Sequence, residues 1–232
     1  MDKIHAMKLI FSLSLIILSF ACSAQQQQLW LTDPSQYGKP LEASTGTRVN
    51  GDPYLFDNWK NGLAILRNKE KYKIQKLRYN IMNEQVEYDN NGRVFFLPAD
   101  LFSSFVLIAG RDSVVFQNGL IGIKEIKIKS YGQVVFQGKN KWICHHYANL
   151  IDDPDAPYGS AKQKLIQKDK SFYLLKPNEQ SLRLKLNKKF FLKTFGQLKP
   201  EEFEKFLTEN RLGFESENHL KMIFRWLDTR IE

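Results

Sequence analysis

From Leu63 onward, apolar runs of four to eight residues rich in Val, Ile, Phe and Tyr recur along the chain, and only two to six residues separate most of them. Runs of that length suit strands, and gaps of that length leave no room for the crossover helix that a parallel pair requires. The pattern predicts antiparallel strands at 63–67, 72–81, 85–88, 93–97, 105–109, 113–117, 123–128, 133–137, 141–147, 162–167, 171–175 and 181–186. Asn91-Gly92 supplies the two positive-φ residues of a tight hairpin. Within 72–81 the apolar phase changes: Tyr72 and Ile74 keep one, Leu77, Tyr79 and Ile81 the other. An extra residue near Gln75 or Lys76 would turn both sets to the core.

The last 45 or so residues change period. Pro200, followed by Glu201 and Glu202, starts a helix with Phe203, Phe206 and Leu207 on one face, and Gly213 lies just past its end. Ser216 can cap a second helix carrying Leu220, Ile223, Phe224 and Leu227 at i, i+3, i+4 and i+7. Residues 188–195 fit strand or helix equally. The expected fold is mainly β: an antiparallel meander forming a barrel, half-barrel or sandwich, with a C-terminal helical hairpin from about residue 188 packed on it.

Residues 1–24 have the three parts of a secretory signal peptide: Lys3 and Lys8, an apolar run from Leu9 to Ala21, then Cys22, Ser23 and Ala24. Cleavage after Ala24 would give a mature chain from Gln25, with 25–50 a polar linker or N-terminal arm and 51–232 a single β-rich domain. Cys22 offers an alternative, the lipid-modified first residue of a lipoprotein, although the preceding residues fit that signal poorly. Either route predicts a periplasmic or outer-membrane-associated protein with no transmembrane span in its mature part. The composition, 43% hydrophobic and 25% charged, excludes a disordered or collagen-like chain. After cleavage, Cys144 would be the lone cysteine, so no internal disulfide could form.

Residues able to do chemistry rarely group in this sequence. Cys144-His145-His146 has metal-type ligands, but alternation along a strand separates His145 from the other two, and His219 lies far off in the last helix. Asp152, Asp153 and Asp155 crowd a loop of the oxygen chemistry calcium prefers, though Gln163 stands where a terminal Glu would be needed, and a solvated acidic turn explains them as well. Ser160 has no nucleophile elbow around it. Residues 46–51 copy the glycine spacing of a phosphate loop, yet Asp52 and Pro53 replace its Lys and Ser or Thr. The aromatics Trp142, Phe136, Phe116, Phe95, Tyr79 and Tyr88 read as core, with a sugar- or lipid-binding surface as the alternative. No catalytic, cofactor-binding or metal residues are assigned, and no cofactor is expected. A net charge of +9 without a long basic run favours anionic envelope partners over nucleic acid.

Gly51-Asp52-Pro53-Tyr54-Leu55-Phe56-Asp57-Asn58-Trp59-Lys60-Asn61-Gly62, then Leu77-Arg78-Tyr79-Asn80-Ile81 and Tyr158-Gly159-Ser160-Ala161-Lys162, resembles a poorly characterised group of exported envelope proteins of Bacteroidota-type bacteria. The likeness spans roughly residues 50–230. It implies an envelope location and carries no catalytic residues. Physically, the first segment reads as an ordered turn whose Tyr54, Leu55, Phe56 and Trp59 close one end of the sheet, with a binding lip as the alternative. The expected function is that of an exported, non-enzymatic scaffold or interaction module whose partner is an envelope protein or anionic envelope surface. Two alternatives stand beside it: a carrier of a lipid or other apolar ligand, and a hydrolase of envelope glycans through paired carboxylates.

Overall fold

In the computed structural model, the described residues are 29–30, 39–40, 49–110, 112–155 and 163–231. Three two-residue strands, β1 (Leu29–Trp30), β2 (Lys39–Pro40) and β3 (Val49–Asn50), come from the stretch expected to be an arm or linker. Ten longer ones follow: β4 (Lys60–Leu66), β5 (Lys71–Asn80), β6 (Gln85–Asn90), β7 (Arg93–Leu97), β8 (Phe102–Ala109), β9 (Asp112–Gln117), β10 (Gly132–Gln137), β11 (Lys141–Asp152), β12 (Lys164–Leu175) and β13 (Ser181–Leu184). They form one mostly antiparallel sheet in the order β13-β12-β11-β10-β9-β8-β4-β5-β6-β7-β2, with β1 beside β5 and β3 beside β12. Among the described residues its two ends do not pair, so the sheet is open.

It is also rolled. Laid flat, β7 and β8 would stand four strand spacings apart, about 19 Å. They are instead joined by the tight turn 98–101, in which the amides of Leu101 and Phe102 both bond to the Pro98 carbonyl. So short a connection requires the sheet to curl until β7 approaches β8. Bulges assist, because each extra residue bends its strand. Lys60 faces Leu77 and Gly62 faces Ile74, which puts the surplus residue of β5 at Gln75 or Lys76, where the change of phase predicts it. Tyr72, Ile74, Leu77, Tyr79 and Ile81 are accordingly all buried. Further bulges fall at Ser103 in β8 and Val135 in β10. Inside the roll the rings of Phe105 and Phe116 stack at 4.5 Å, with Tyr79 and Tyr131 against Phe105 at 5.4 and 5.0 Å.

The Asn91-Gly92 hairpin forms as expected, with φ of 52° and 84°. Gly62 is needed for closeness: a Cβ there would lie 2.7 Å from Leu77 Cδ2 and run into the Val106 carbonyl.

Three helices complete the chain: α1 (Lys188–Thr194), α2 (Pro200–Glu209) and α3 (Glu217–Asp228). The ambiguous segment is thus helical, and Asn187 caps it by accepting from the Phe190 amide at 2.8 Å. Ser216 occupies the cap position of α3 without a side-chain bond to the helix. Leu220, Ile223, Phe224 and Leu227 are buried as their spacing predicts, and Phe224 stacks on Trp142 at 4.4 Å. The helices cover one face of β10–β13. The opposite face, Ile143 and Tyr173, is covered by Leu120, Ile123 and Ile126.

Two expectations fail locally. Residues 123–128 are a loop, not a strand, because their inward residues recur every three positions. The runs at 162–167 and 171–175 belong, from Lys164, to one strand, β12, whose central Lys168, Asp169 and Lys170 are charged because that stretch extends beyond the core.

Candidate functional site

Alternation along β11 distributes the three metal-type ligands as expected. Cys144 turns to the helices and is buried, and burial pushes its thiol up to about 12, which leaves it protonated and unreactive. His146, on the same face, has Nε2 2.6 Å from Gln133 Oε1, and Gln133 Nε2 in turn donates to Glu217 Oε1 at 2.7 Å. Burial, with Lys170 and His145 nearby, holds His146 down to about 4. It is therefore neutral at physiological pH and serves as a donor linking β11 to α3 through β10. His219 accepts from the Gly213 amide at 3.1 Å, which fixes the turn before α3. Among the described residues, no three His, Cys, Asp or Glu side chains gather to hold a metal ion.

His145 turns the other way and meets the closest approach to a catalytic grouping. Its Nε2 lies 3.3 Å from Glu84 Oε1, while Ser130 Oγ donates to Glu84 Oε2 at 2.5 Å and Lys127 pairs with Glu84 at 3.3 Å. Serine, histidine and acid are thus together, but in the wrong order. The carboxylate stands in the middle and takes the serine's proton-bearing side, whereas nucleophile activation needs the imidazole between them. Ser130 and His145 are also buried. The cluster is a tie joining the β5–β6 turn, the 119–130 segment and β11. Sequence gave no sign of it, because its members lie up to 61 positions apart.

This tie makes stability acid-sensitive. The His145 hydrogen bond, followed by those of Ser130 and Lys127, outweighs burial and holds Glu84 at about 2, against 4.5 ordinarily. A lowered native value stabilises above the ordinary one, and the benefit disappears as pH falls from 4.5 through 2. Glu84→Gln is therefore expected to cost about 2 kcal/mol at pH 6 and close to nothing at pH 2. Urea unfolding of both proteins across that range would check it, and a pH-independent difference would refute it.

The acidic loop is similarly engaged. Asp153 accepts from Asn50 Nδ2 at 2.8 Å and from the Asp155 amide at 3.1 Å, and Asp152 holds Lys164 at 2.6 Å. An ammonium on one carboxylate and N–H donors on another oppose a calcium role. The six aromatics do not form one surface. Trp142 and Phe136 belong to the helix-covered core, and Tyr79, Tyr88, Phe95 and Phe116 belong to the rolled half. Ser160, Cys22, residues 46–48 and the 158–162 part of the resemblance lie outside the described residues.

The segment 51–62 runs past the end of β5, with Leu55 N bonding to the Tyr79 carbonyl and Ile81 N to the Pro53 carbonyl, both at 2.9 Å. Leu55 and Phe56 pack on the core, as closure requires. Tyr54 and Trp59 do not. Their rings bracket the Arg78 guanidinium at 3.7 and 4.0 Å, and Arg78 in turn holds Glu87, buried in β6, through bonds of 2.8 and 2.7 Å. Burial, with the Glu87 charge second, raises the Tyr54 phenol to about 12.

Surface clefts occur at the β5 bulge, about 430 Å³, and on either side of Arg183 in β13, about 640 and 680 Å³. No family model matches this chain, and no curated protein or solved structure is similar enough to it to count as a match.

Proposed function

We propose that the protein is exported to the cell envelope and works there as a non-enzymatic interaction module. The observation that carries this reading is the arm made by the outer parts of β11 and β12. Residues 142–145 and 171–174 are all buried, 146–148 and 164–166 are half-buried with Ala148 still against the rolled core, and 149, 150, 152 and 167–170 are exposed, although the two strands stay paired throughout. A two-stranded ribbon whose outer part leaves the core gains little stability there by itself. This one is braced by Lys168, which reaches Asp52 and the Tyr54 carbonyl, and by β3, and it presents Leu150 at the surface. β10 pairs with β11 only as far as Cys144, so among the described residues the β10-side edge of β11 from His145 to Ile151 has no strand partner. An open edge of that length is suited to an extended segment of another macromolecule.

Glu84, His145, His146, Gln133 and Asp228 are engaged in bonds between elements, which offers the hydrolase alternative no free acid or base among them. The carrier alternative draws no support from the rolled half, whose interior is filled by stacked rings.

Two measurements test the proposal. N-terminal sequencing of protein isolated from its host should find a chain beginning at Gln25, or an acylated Cys22, and an unprocessed Met1 would overturn export. A photo-crosslinker at position 150 should give one discrete adduct in the living cell, with none from a crosslinker at Lys205 on α2. Native mass spectrometry showing a stoichiometric apolar small molecule, and no adduct at 150, would replace this reading with the carrier.

A further inference from the structure

Residues 119–128 form a closed loop, sealed where the Gly119 amide meets the Ile128 carbonyl at 3.0 Å, and anchored by Leu120, Ile123 and Ile126 over Ile143 and Tyr173. Ile121 and Ile128 do not join that anchor. They are 64% and 61% exposed, more than any other large apolar side chain among the described residues. The loop's shape is fixed by its inward residues, so these two are held in solvent.

The charge around them is mainly positive. Ile121, Lys139 and Lys176 line one cleft of about 310 Å³, and Lys176 and Lys124 line the adjoining cleft. None of these three lysines has an ion pair among the described residues, and the acids beside them are Glu125 and Glu179. Lys127 and Lys129 flank Ile128 and pair with Glu84 and Asp100 at the surface, where water screens such pairs. Exposed aliphatic side chains with ammonium groups beside them complement a layer of anionic headgroups over an apolar interior.

We propose that this end of the molecule docks on an anionic lipid surface, with Ile121 and Ile128 entering the headgroup layer and Lys124, Lys139 and Lys176 facing lipid phosphates. The proposal rests on the interaction-module reading and names a partner for a surface other than the arm.

Cosedimentation tests it, with protein exported by and purified from its host and vesicles of three parts phosphatidylethanolamine to one part phosphatidylglycerol, against phosphatidylcholine alone. Binding is expected to the anionic vesicles and to weaken at least about tenfold between low and high salt. Ile121→Ser with Ile128→Ser should lower affinity at least about tenfold with an unchanged melting temperature, because both side chains are exposed. Changing Lys124, Lys139 and Lys176 to Gln should flatten the salt dependence. Cys22→Ala in every protein compared removes any lipid on that residue, which would otherwise hold all of them on both vesicle types. Equal binding to both vesicle types, or binding indifferent to these substitutions, overturns the proposal. If vesicles are not bound while position 150 still crosslinks to a protein, the lipid surface is excluded and the interaction-module reading survives.

Discussion

Replacing Asp228 with alanine is expected to lower the unfolding free energy by about 4 kcal/mol, because one buried carboxylate satisfies four donors at once. It accepts from the amides of Lys139 and Asn140 at 2.6 and 3.0 Å, from Asn140 Nδ2 at 2.9 Å and from Trp142 Nε1 at 3.2 Å. Its position is otherwise unfavourable. Asp228 ends α3, where the helix field disfavours negative charge, so the stability must come from those donors. They all belong to the β10–β11 hairpin or the strand following it, and the carboxylate fastens the helical layer to the sheet. Gly138 serves this arrangement, since a Cβ there would collide with Asp228 Oδ2. Asp228→Asn keeps one acceptor and the shape, and should cost about 2 kcal/mol. Denaturant titration of both variants checks the argument. A loss below about 1 kcal/mol for alanine would mean that water satisfies the hairpin donors without the carboxylate.

The sheet was legible in the sequence wherever one strand's own pattern contained the answer. The phase change in 72–81 located the bulge because a strand that buries one face must insert a residue when its apolar set changes sides. Asn91-Gly92 and Pro200 worked for the same reason: each fixes its own backbone. The 119–128 loop shows the limit. Leu120, Ile123 and Ile126 recur at three residues and contain two β-branched members, which imitates a short strand until the face they cover is known. Glu84 with His145, and Asp228 with Asn140, were invisible because nothing in a carboxylate's own surroundings in sequence announces a partner 61 or 88 positions away. The excess of positive charge was countable but its location was not, since Lys124, Lys139 and Lys176 meet only after three separate turns are brought to one end of the sheet.

Arg78→Ala is expected to cost about 3 to 4 kcal/mol, and its interest lies in how the loss should be recovered. Glu87 is completely buried and faces Arg78 directly across β5 and β6, with both guanidinium bonds reaching the same oxygen, Oε2. Tyr54 Oη and Asn80 Nδ2 contribute longer contacts at 3.3 and 3.4 Å, too weak to replace a cation. Removing Arg78 therefore strands a carboxylate in the interior. Arg78→Lys keeps the charge but loses the planar fork and its stacking between Tyr54 and Trp59, so it should fall between, at about 1 to 2 kcal/mol. Removing both charges, as Arg78→Met with Glu87→Leu, should return stability to within about 1 kcal/mol of the parent protein, because neither partner is then left buried alone. That order, single alanine worst, lysine intermediate and double replacement nearly neutral, would show that segment 51–62 is held by compensation of a buried charge. If the double replacement were as damaging as Arg78→Ala, the segment would instead depend on the stack of Tyr54, Arg78 and Trp59 itself, and Trp59→Ala should then equal the loss.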